Sequence, residues 1–124
     1  IENILDKSLD ESPQSFPTSS NYVETVKRYI SKHYDQELNL ESLAEIVYLS
    51  PRYLSSIFKK ETGCGLNKYI KAFRMEKARD LLEHTHMKVV AICDAVGYTN
   101  VSYFIQSFRE YFGSSPEKFR QKED

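Results

Sequence analysis

The sequence lacks the features by which membrane proteins, disulfide-rich proteins and most enzymes are recognised. Its 124 residues contain two cysteines, and no apolar run comes close to the roughly 20 residues that a membrane helix needs. No nucleophile motif, no glycine loop for phosphate and no Cys/His spacing for a metal is present. We therefore expect a cytoplasmic protein that is not an enzyme and that needs neither a metal nor another cofactor.

Net charge is also nearly absent, since 17 basic residues stand against 18 acidic ones. The charges are unevenly distributed, however. Residues 1–20 carry a net charge of -3, whereas the stretch from Arg52 to Arg79 contains eight basic residues and two acidic ones. Such a local excess of positive charge is the footprint that nucleic-acid-binding proteins carry. A solvated helix surface is the alternative explanation for a charge run taken alone.

The first 20 residues predict a linker or the tail of an upstream domain. They contain Pro13, Pro17 and the serine-rich string SPQSFPTSS, which is typical of a linker. The chain begins with Ile1 instead of Met, so we expect it to be part of a longer protein. After this segment, apolar residues recur at helical spacing and predict a first helix from about Asn21 to Tyr34.

A helix-turn-helix pattern follows at about residues 40–63. Asn39 is a good N-cap for a short helix, and residues 48–50 form a turn. A serine followed by a proline then predicts the start of a second helix, because proline is favoured at the first helical position. This helix should run from Pro51 to Thr62 and end at Gly63, which suits a C-terminal cap.

A second helix-turn-helix pattern occupies about residues 88–113. A connecting helix, predicted from Leu66 to about His84, precedes this pattern. Gly97 marks the turn between the two helices of the pattern. Its second helix should end at Gly113, and Ser115 with the proline after it predicts a short last helix. Four aromatic residues at helical spacing are expected to face the core: Phe104, Phe108, Tyr111 and Phe112.

The two patterns repeat each other along the chain. Their first helices align at a separation of 49 residues, as Val47 and Val96 show, and their second helices at 50, as Gly63 and Gly113 show. One additional residue in the second turn explains the change. Two copies are too few for a solenoid. They predict an all-α fold in which two helix-turn-helix subdomains are joined by the connecting helix.

Residues from about Tyr22 to Arg120 resemble the DNA-binding domain of the AraC/XylS family of bacterial transcription regulators. Three strings carry the resemblance in order and spacing: LAEIVYLSPRYLSSIFKKETG, YIKAFRMEKARDLL and VGYTNVSYFIQSFREYFGSSPEKFR. The resemblance implies a fold of about seven helices for residues 21–124. It also implies that the chain binds double-stranded DNA through two recognition helices, which enter successive major grooves.

The resemblance and the residue chemistry together assign DNA-facing side chains to the two recognition helices. On a helical wheel, Arg52 and Ser56 lie opposite the apolar Leu54, which agrees with the assignment. Val101 and Ile105 fall beside the apolar stripe, so completing the core and contacting thymine methyl groups are equal alternatives for them. The expected base-contacting residues are Arg52, Ser55, Ser56, Val101, Ser102, Ile105 and Gln106. The expected phosphate-contacting residues are Ser50, Lys59, Lys60, Asn100 and Arg109.

The resemblance also implies partners that the residues themselves do not define. We expect RNA polymerase and an upstream sensing or receiver domain of the same chain, and we expect the isolated domain to be monomeric. The upstream part is either a two-component receiver, which the acidic linker favours, or an effector-binding domain, and activation and repression stay open. A helical protein-interaction module is the alternative function. It explains the amphipathic helices, but neither the basic block nor the duplicated turn.

Overall fold

The computed structural model describes residues 19–123, and within that range it consists of helices joined by short turns. The predicted linker at residues 1–20 lies outside the described residues, except that Ser19 and Ser20 already belong to the first helix. The all-α fold class is therefore confirmed. The helices are α1 (Ser19–His33), α2 (Leu40–Ile46), α3 (Pro51–Thr62), α4 (Leu66–His84), α5 (Val89–Ala95), α6 (Val101–Phe112) and α7 (Pro116–Glu123).

Side-chain caps begin α2, α3 and α6, and glycines end α3 and α6. The Asn39 side chain accepts a hydrogen bond from the Ser42 N–H at 2.8 Å and begins α2. Gly63 ends α3 with φ of 84°, a left-handed conformation that glycine adopts without steric cost. α1 differs slightly from the prediction, because it begins two residues earlier and ends one residue earlier.

Two hydrophobic cores lie side by side along the molecule. α1, α2, α3 and the first half of α4 surround the first core, and the second half of α4 with α5, α6 and α7 surrounds the second. Fully buried residues of the first core include Val26, Ile30, Leu43, Leu54 and Phe58. Those of the second include Met75, Ala78, Ile92, Val96, Phe104 and Phe108.

Two residues of the second core differ from the sequence prediction. Tyr111 was expected to face the core, but its side chain is 43% exposed because it lies in the last turn of α6, at the margin of the core. Met75 was missed, although it is completely buried. Its position on α4 carries it toward the second core, while the residues before it face the first, so a single apolar stripe does not describe this helix.

α4 is shared by the two subdomains and holds them together. Leu66 and Ile70 at its start belong to the first core, and Met75 and Leu82 belong to the second. Its 19 residues correspond to a length of roughly 28 Å. No helix in the described range, α4 included, is long and apolar enough to cross a membrane.

The end of α4 is tied down by an arginine of the last helix. Arg120 donates hydrogen bonds from its guanidinium to four backbone carbonyls, two in the last turn of α4 and two in the segment after it. The shortest joins Nη1 to the carbonyl oxygen of Met87 at 2.6 Å. Since the last carbonyls of a helix have no partner within it, the half-buried guanidinium of Arg120 is well suited to satisfy them. This contact fixes α7 against the second subdomain.

Candidate nucleic-acid interface

α3 presents a polar and basic face to solvent and an apolar face to the first core. Leu54, Ile57 and Phe58 are buried, whereas the predicted DNA-facing side chains on this helix are exposed. The exposed residues are Arg52, Ser55, Ser56, Lys59 and Lys60. The structure thus brings together all five of the residues that the sequence assigned to this surface, on a helix whose opposite side is anchored.

α6 is built in the same way, but its outer face is less basic. Ser102, Gln106 and Arg109 are exposed, and Phe104 and Phe108 are buried. The side-chain amide of Gln106 donates to Oε2 of Glu110 at 3.3 Å, one turn further along the helix. The Glu110 carboxylate lowers the positive charge of the second face and occupies the side-chain amide of Gln106.

Val101 and Ile105 occupy the margin of the second core. Both side chains are half-buried and pack against that core, so a part of each completes the hydrophobic interior. The remaining exposed surface lies at the edge of the α6 face. The structure therefore gives these two residues a core role, and their contact with thymine methyl groups stays a prediction that requires only their exposed edges.

The two recognition helices begin with equivalent capping contacts. The Ser50 hydroxyl oxygen accepts the Tyr53 N–H at 3.2 Å, and the Asn100 side-chain oxygen accepts the Tyr103 N–H at 2.8 Å. Since Pro51 has no N–H, the α3 start keeps one first-turn N–H without a helix partner, that of Arg52, whereas the α6 start keeps those of Val101 and Ser102. Two such N-termini are suitable places for phosphate oxygens.

Beside the two capped positions lie exposed aromatic residues that were not among the predicted DNA contacts. Tyr53 and Tyr103 are 50% and 57% exposed, although large aromatic side chains are usually covered. They lie 50 residues apart, in corresponding places on α3 and α6. The signal in the sequence was their identity at equivalent positions of the repeat, which they share with Gly63 and Gly113. Each hydroxyl can reach a polar group of a bound partner.

The basic block between Arg52 and Arg79 is smaller in the folded molecule than its sequence suggested. Arg79 forms an ion pair with Glu76 at 2.9 Å, and the ammonium of Lys77 lies over the Tyr34 ring at 5.8 Å. These side chains extend along the connecting helix. The exposed basic side chains of the block therefore include Arg52, Lys59 and Lys60 of α3 and Lys68 of α4, and no such partner competes for Arg52 in the described part of the chain.

Arg74 is the clearest departure from the basic block, in which it was one of the eight basic residues. It is half-buried, and its Nε and Nη2 donate to the carbonyl oxygens of Tyr34 at 2.9 Å and Gln36 at 2.7 Å. Burial lowers the pKa of its guanidinium, and the nearby Tyr98 and Asp35 act in the opposite direction. An arginine remains charged at neutral pH after such a shift. Its role is therefore internal.

The two repeated units have helices of equal length and end their second helices in the same way. α2 and α5 have seven residues each, and α3 and α6 have 12. Gly63 and Gly113 end the second helices with φ of 84° and 89°. Two short helices, each followed after a tight turn by a longer helix with an exposed polar face, define a DNA-binding domain of the helix-turn-helix class.

Comparison with known proteins agrees with this class. A family model described as a helix-turn-helix domain matches residues 43–122. The chain belongs to the AraC family, as a DNA-binding domain of that family's transcription regulators.

Three relatives illustrate this membership. The regulatory protein PocR of Salmonella typhimurium is 33% identical over 136 residues, which cover 98% of this chain and 45% of PocR. The C-terminal domain of the response regulator AraT from Geobacillus stearothermophilus is 38% identical, with a TM-score of 0.80 over 82% of this chain and 84% of that one. The DNA-binding domain of the transcription factor AdpA, solved with a target DNA, is 25% identical with a TM-score of 0.78, over 81% of this chain and 90% of that one.

The first curated relatives are all considerably longer than this chain. The chain spans 45%, 46% and 40% of their lengths. Its similarity therefore concerns one part of each of these regulators.

Proposed function

We propose that this domain binds double-stranded DNA in a sequence-specific way as part of a bacterial transcription regulator. The observation that carries the proposal is the duplication: the same capped recognition helix occurs twice, each time with a buried apolar face and an exposed polar one. α3 and α6 enter successive major grooves on one side of the duplex, which are about 34 Å apart. AdpA, a relative solved with a target DNA, supports this function.

The proposed base contacts use the exposed faces of the two helices. Arg52 donates two hydrogen bonds to the O6 and N7 atoms of a guanine, and Gln106 pairs with an adenine after leaving Glu110. Ser55, Ser56 and Ser102 have hydroxyl groups that can donate to or accept from the edges of several bases. Val101 and Ile105 contribute their exposed edges to thymine methyl groups. We expect α3 to supply the sharper discrimination, because it alone carries an arginine at this position.

Phosphate contacts position the domain on the duplex. Lys59, Lys60 and Arg109 are exposed near the ends of the recognition helices, where they approach the backbones that border each groove. Backbone N–H groups at the helix starts beside Ser50 and Asn100 hold further phosphates. We add the Tyr53 and Tyr103 hydroxyls, which are exposed beside those starts, as backbone contacts.

The length of α4 suggests that the bound DNA bends. Its 19 residues span roughly 28 Å, which is less than the rise of about 34 Å between successive major grooves. A rigid connection of this length brings the two recognition helices closer together than straight DNA allows. A modest bend toward the protein removes the difference at a cost of a few kcal/mol, which additional contacts offset.

We propose that residues 21–124 act as the DNA-reading part of a longer cytoplasmic regulator, behind the linker at residues 1–20. An upstream sensing or receiver domain supplies the signal, and RNA polymerase is the partner on the promoter. AraT, whose C-terminal domain is similar, is a response regulator, which supports the receiver alternative. The isolated domain acts without catalysis and as a monomer.

A helical protein-interaction module is the competing function, and a DNA titration separates the two. We expect the domain to retain a defined set of sequences when it is presented with a random duplex library. Binding to random DNA should be weaker and should fall steeply with salt, because phosphate contacts release counterions. An interaction module would retain no sequence and would show no binding at low salt, and either result would exclude the proposed function.

A further inference from the structure

The two helix-turn-helix units touch each other directly, beyond their common attachment to α4. Tyr34 follows α1 in the first unit, yet its side chain packs against the second core. Its ring lies 5.5 Å from that of Phe73, centroid to centroid. The end of α1 is therefore inserted between the units, at the place where α4 changes from the first core to the second.

Arg74 connects the two units at this place. It lies on α4 beside Met75 of the second core, and it reaches back 40 and 38 residues to the carbonyl oxygens of Tyr34 and Gln36. Its guanidinium carbon also lies 5.8 Å from the ring centroid of Tyr98, in the turn of the second unit. One side chain thus contacts the end of α1, the connecting helix and the second turn.

Gly97 allows this close approach from the other side. A Cβ atom at this position would lie 2.5 Å from the carbonyl oxygen of Tyr34 and 3.2 Å from Cζ and Nε of Arg74. The corresponding residue of the first turn is Tyr48, which is 94% exposed and meets no neighbouring unit. Residue 97 therefore needs to be glycine for two reasons, namely its left-handed φ of 93° and the contact with the first unit.

Few other groups restrain the units across this junction. A groove of about 470 Å³ lies beside the contact, and residues of both units line it, among them Asp35, Glu37, Asp94 and Thr99. Its carboxylates come from both units, and like charges do not attract across a groove. The contact of Arg74 and Gly97 with the end of α1 is therefore a specific restraint on the angle between the two units, beside the packing of Tyr34 on the second core.

We propose that Arg74 and Gly97 act as positioning residues that fix the angle between the two helix-turn-helix units and thereby the DNA spacing that the domain accepts. This inference rests on the proposed function. Each base pair of spacing rotates one half-site by about 35° relative to the other. A domain with a fixed angle tolerates one spacing, whereas a domain whose units can swing about α4 tolerates several.

Three variants separate this role from general stability. Arg74→Lys keeps the positive charge but loses the planar guanidinium that donates to two carbonyls at once. Gly97→Ala introduces the clashing Cβ atom. Gly113→Ala is the matched control, because its φ of 89° causes the same backbone strain while nothing lies within 4 Å of the added atom.

The first measurement needs no DNA. Residual dipolar couplings of backbone amides report whether residues 21–73 and residues 75–121 keep a fixed orientation relative to each other. We expect one alignment tensor to fit both parts in the wild type and in Gly113→Ala, and two different tensors in Arg74→Lys and Gly97→Ala. A single shared tensor in all four proteins, or two tensors in the wild type, would overturn the inference.

The second measurement uses duplexes in which the two selected half-sites are one base pair closer together or further apart. The wild type and Gly113→Ala should lose affinity by roughly tenfold or more on these duplexes, as for a mismatched base pair. Arg74→Lys and Gly97→Ala should lose that preference and bind the three spacings within about threefold. An unchanged preference in these two variants contradicts the inference. If no sequence is selected at all, the proposed function fails, and the dipolar couplings still decide whether the units are fixed.

Discussion

Lys59 and Arg109 allow the two-groove arrangement to be tested through the salt dependence of binding. They lie 50 residues apart in the sequence, both in the last turn of their recognition helices, and both are exposed. The plot of log K against log salt has a negative slope. If each residue neutralises one phosphate, replacing either by glutamine makes this slope shallower by about 0.9. Because the two residues belong to different units, their effects should add, so the double variant should lose about 1.8.

The expected difference is large enough to measure by fluorescence anisotropy with a labelled duplex. When salt rises from about 50 to 200 mM, both proteins lose affinity. A slope shallower by about 1.8 makes this loss roughly tenfold smaller in the double variant than in the wild type. Lys32→Gln is a suitable control, because Lys32 is an exposed basic residue of α1, outside both recognition helices. Its slope should not change. An unchanged slope in the double variant, or an equal reduction in the control, would refute the assignment of Lys59 and Arg109 to phosphates.

Three further substitutions test individual side chains. Arg52→Ala should cost about 1–3 kcal/mol on the selected site and relax selectivity at one base pair, and an equal loss on random DNA would identify a phosphate contact instead. Phe108→Ala should lower the free energy of unfolding by about 3–5 kcal/mol, because the fully buried ring packs on Phe104, Phe112 and Phe119. Urea unfolding compares this with Tyr111→Ala, which should cost clearly less because the Tyr111 ring is 43% exposed and contacts only the margin of the core. Tyr48→Gly should raise stability by about 0.5–1 kcal/mol, since Tyr48 has φ of 58° and its ring is 94% exposed.

Local features of the fold were predictable from the sequence because local chemistry determines them. Asn39, Ser50 and Asn100 all precede helices, and the side chains of all three accept the N–H bonds expected of N-caps. Gly63 and Gly113 end α3 and α6 in the left-handed conformation for which glycine is suited. Each of these signals acts over three or four residues, so no knowledge of the tertiary structure is required.

Contacts between distant parts of the chain were not predictable in this way. Arg74 looks like any exposed basic residue of an amphipathic helix, and its partners are backbone carbonyls that carry no sequence signal. Tyr111 was placed by helical periodicity alone, which takes no account of where the core ends. Gln106 was recognised as exposed, but its bond to Glu110 depends on the side-chain conformations of both residues.

The central claim is that α3 and α6 read two successive major grooves, and a hydroxyl-radical footprint tests it most directly. On a duplex selected from a random library, we expect two protected stretches on the same face of the DNA, with centres about 10–10.5 base pairs apart. Arg109→Gln should weaken protection of one stretch more than the other. A single protected stretch, or two stretches on opposite faces of the duplex, would contradict the account.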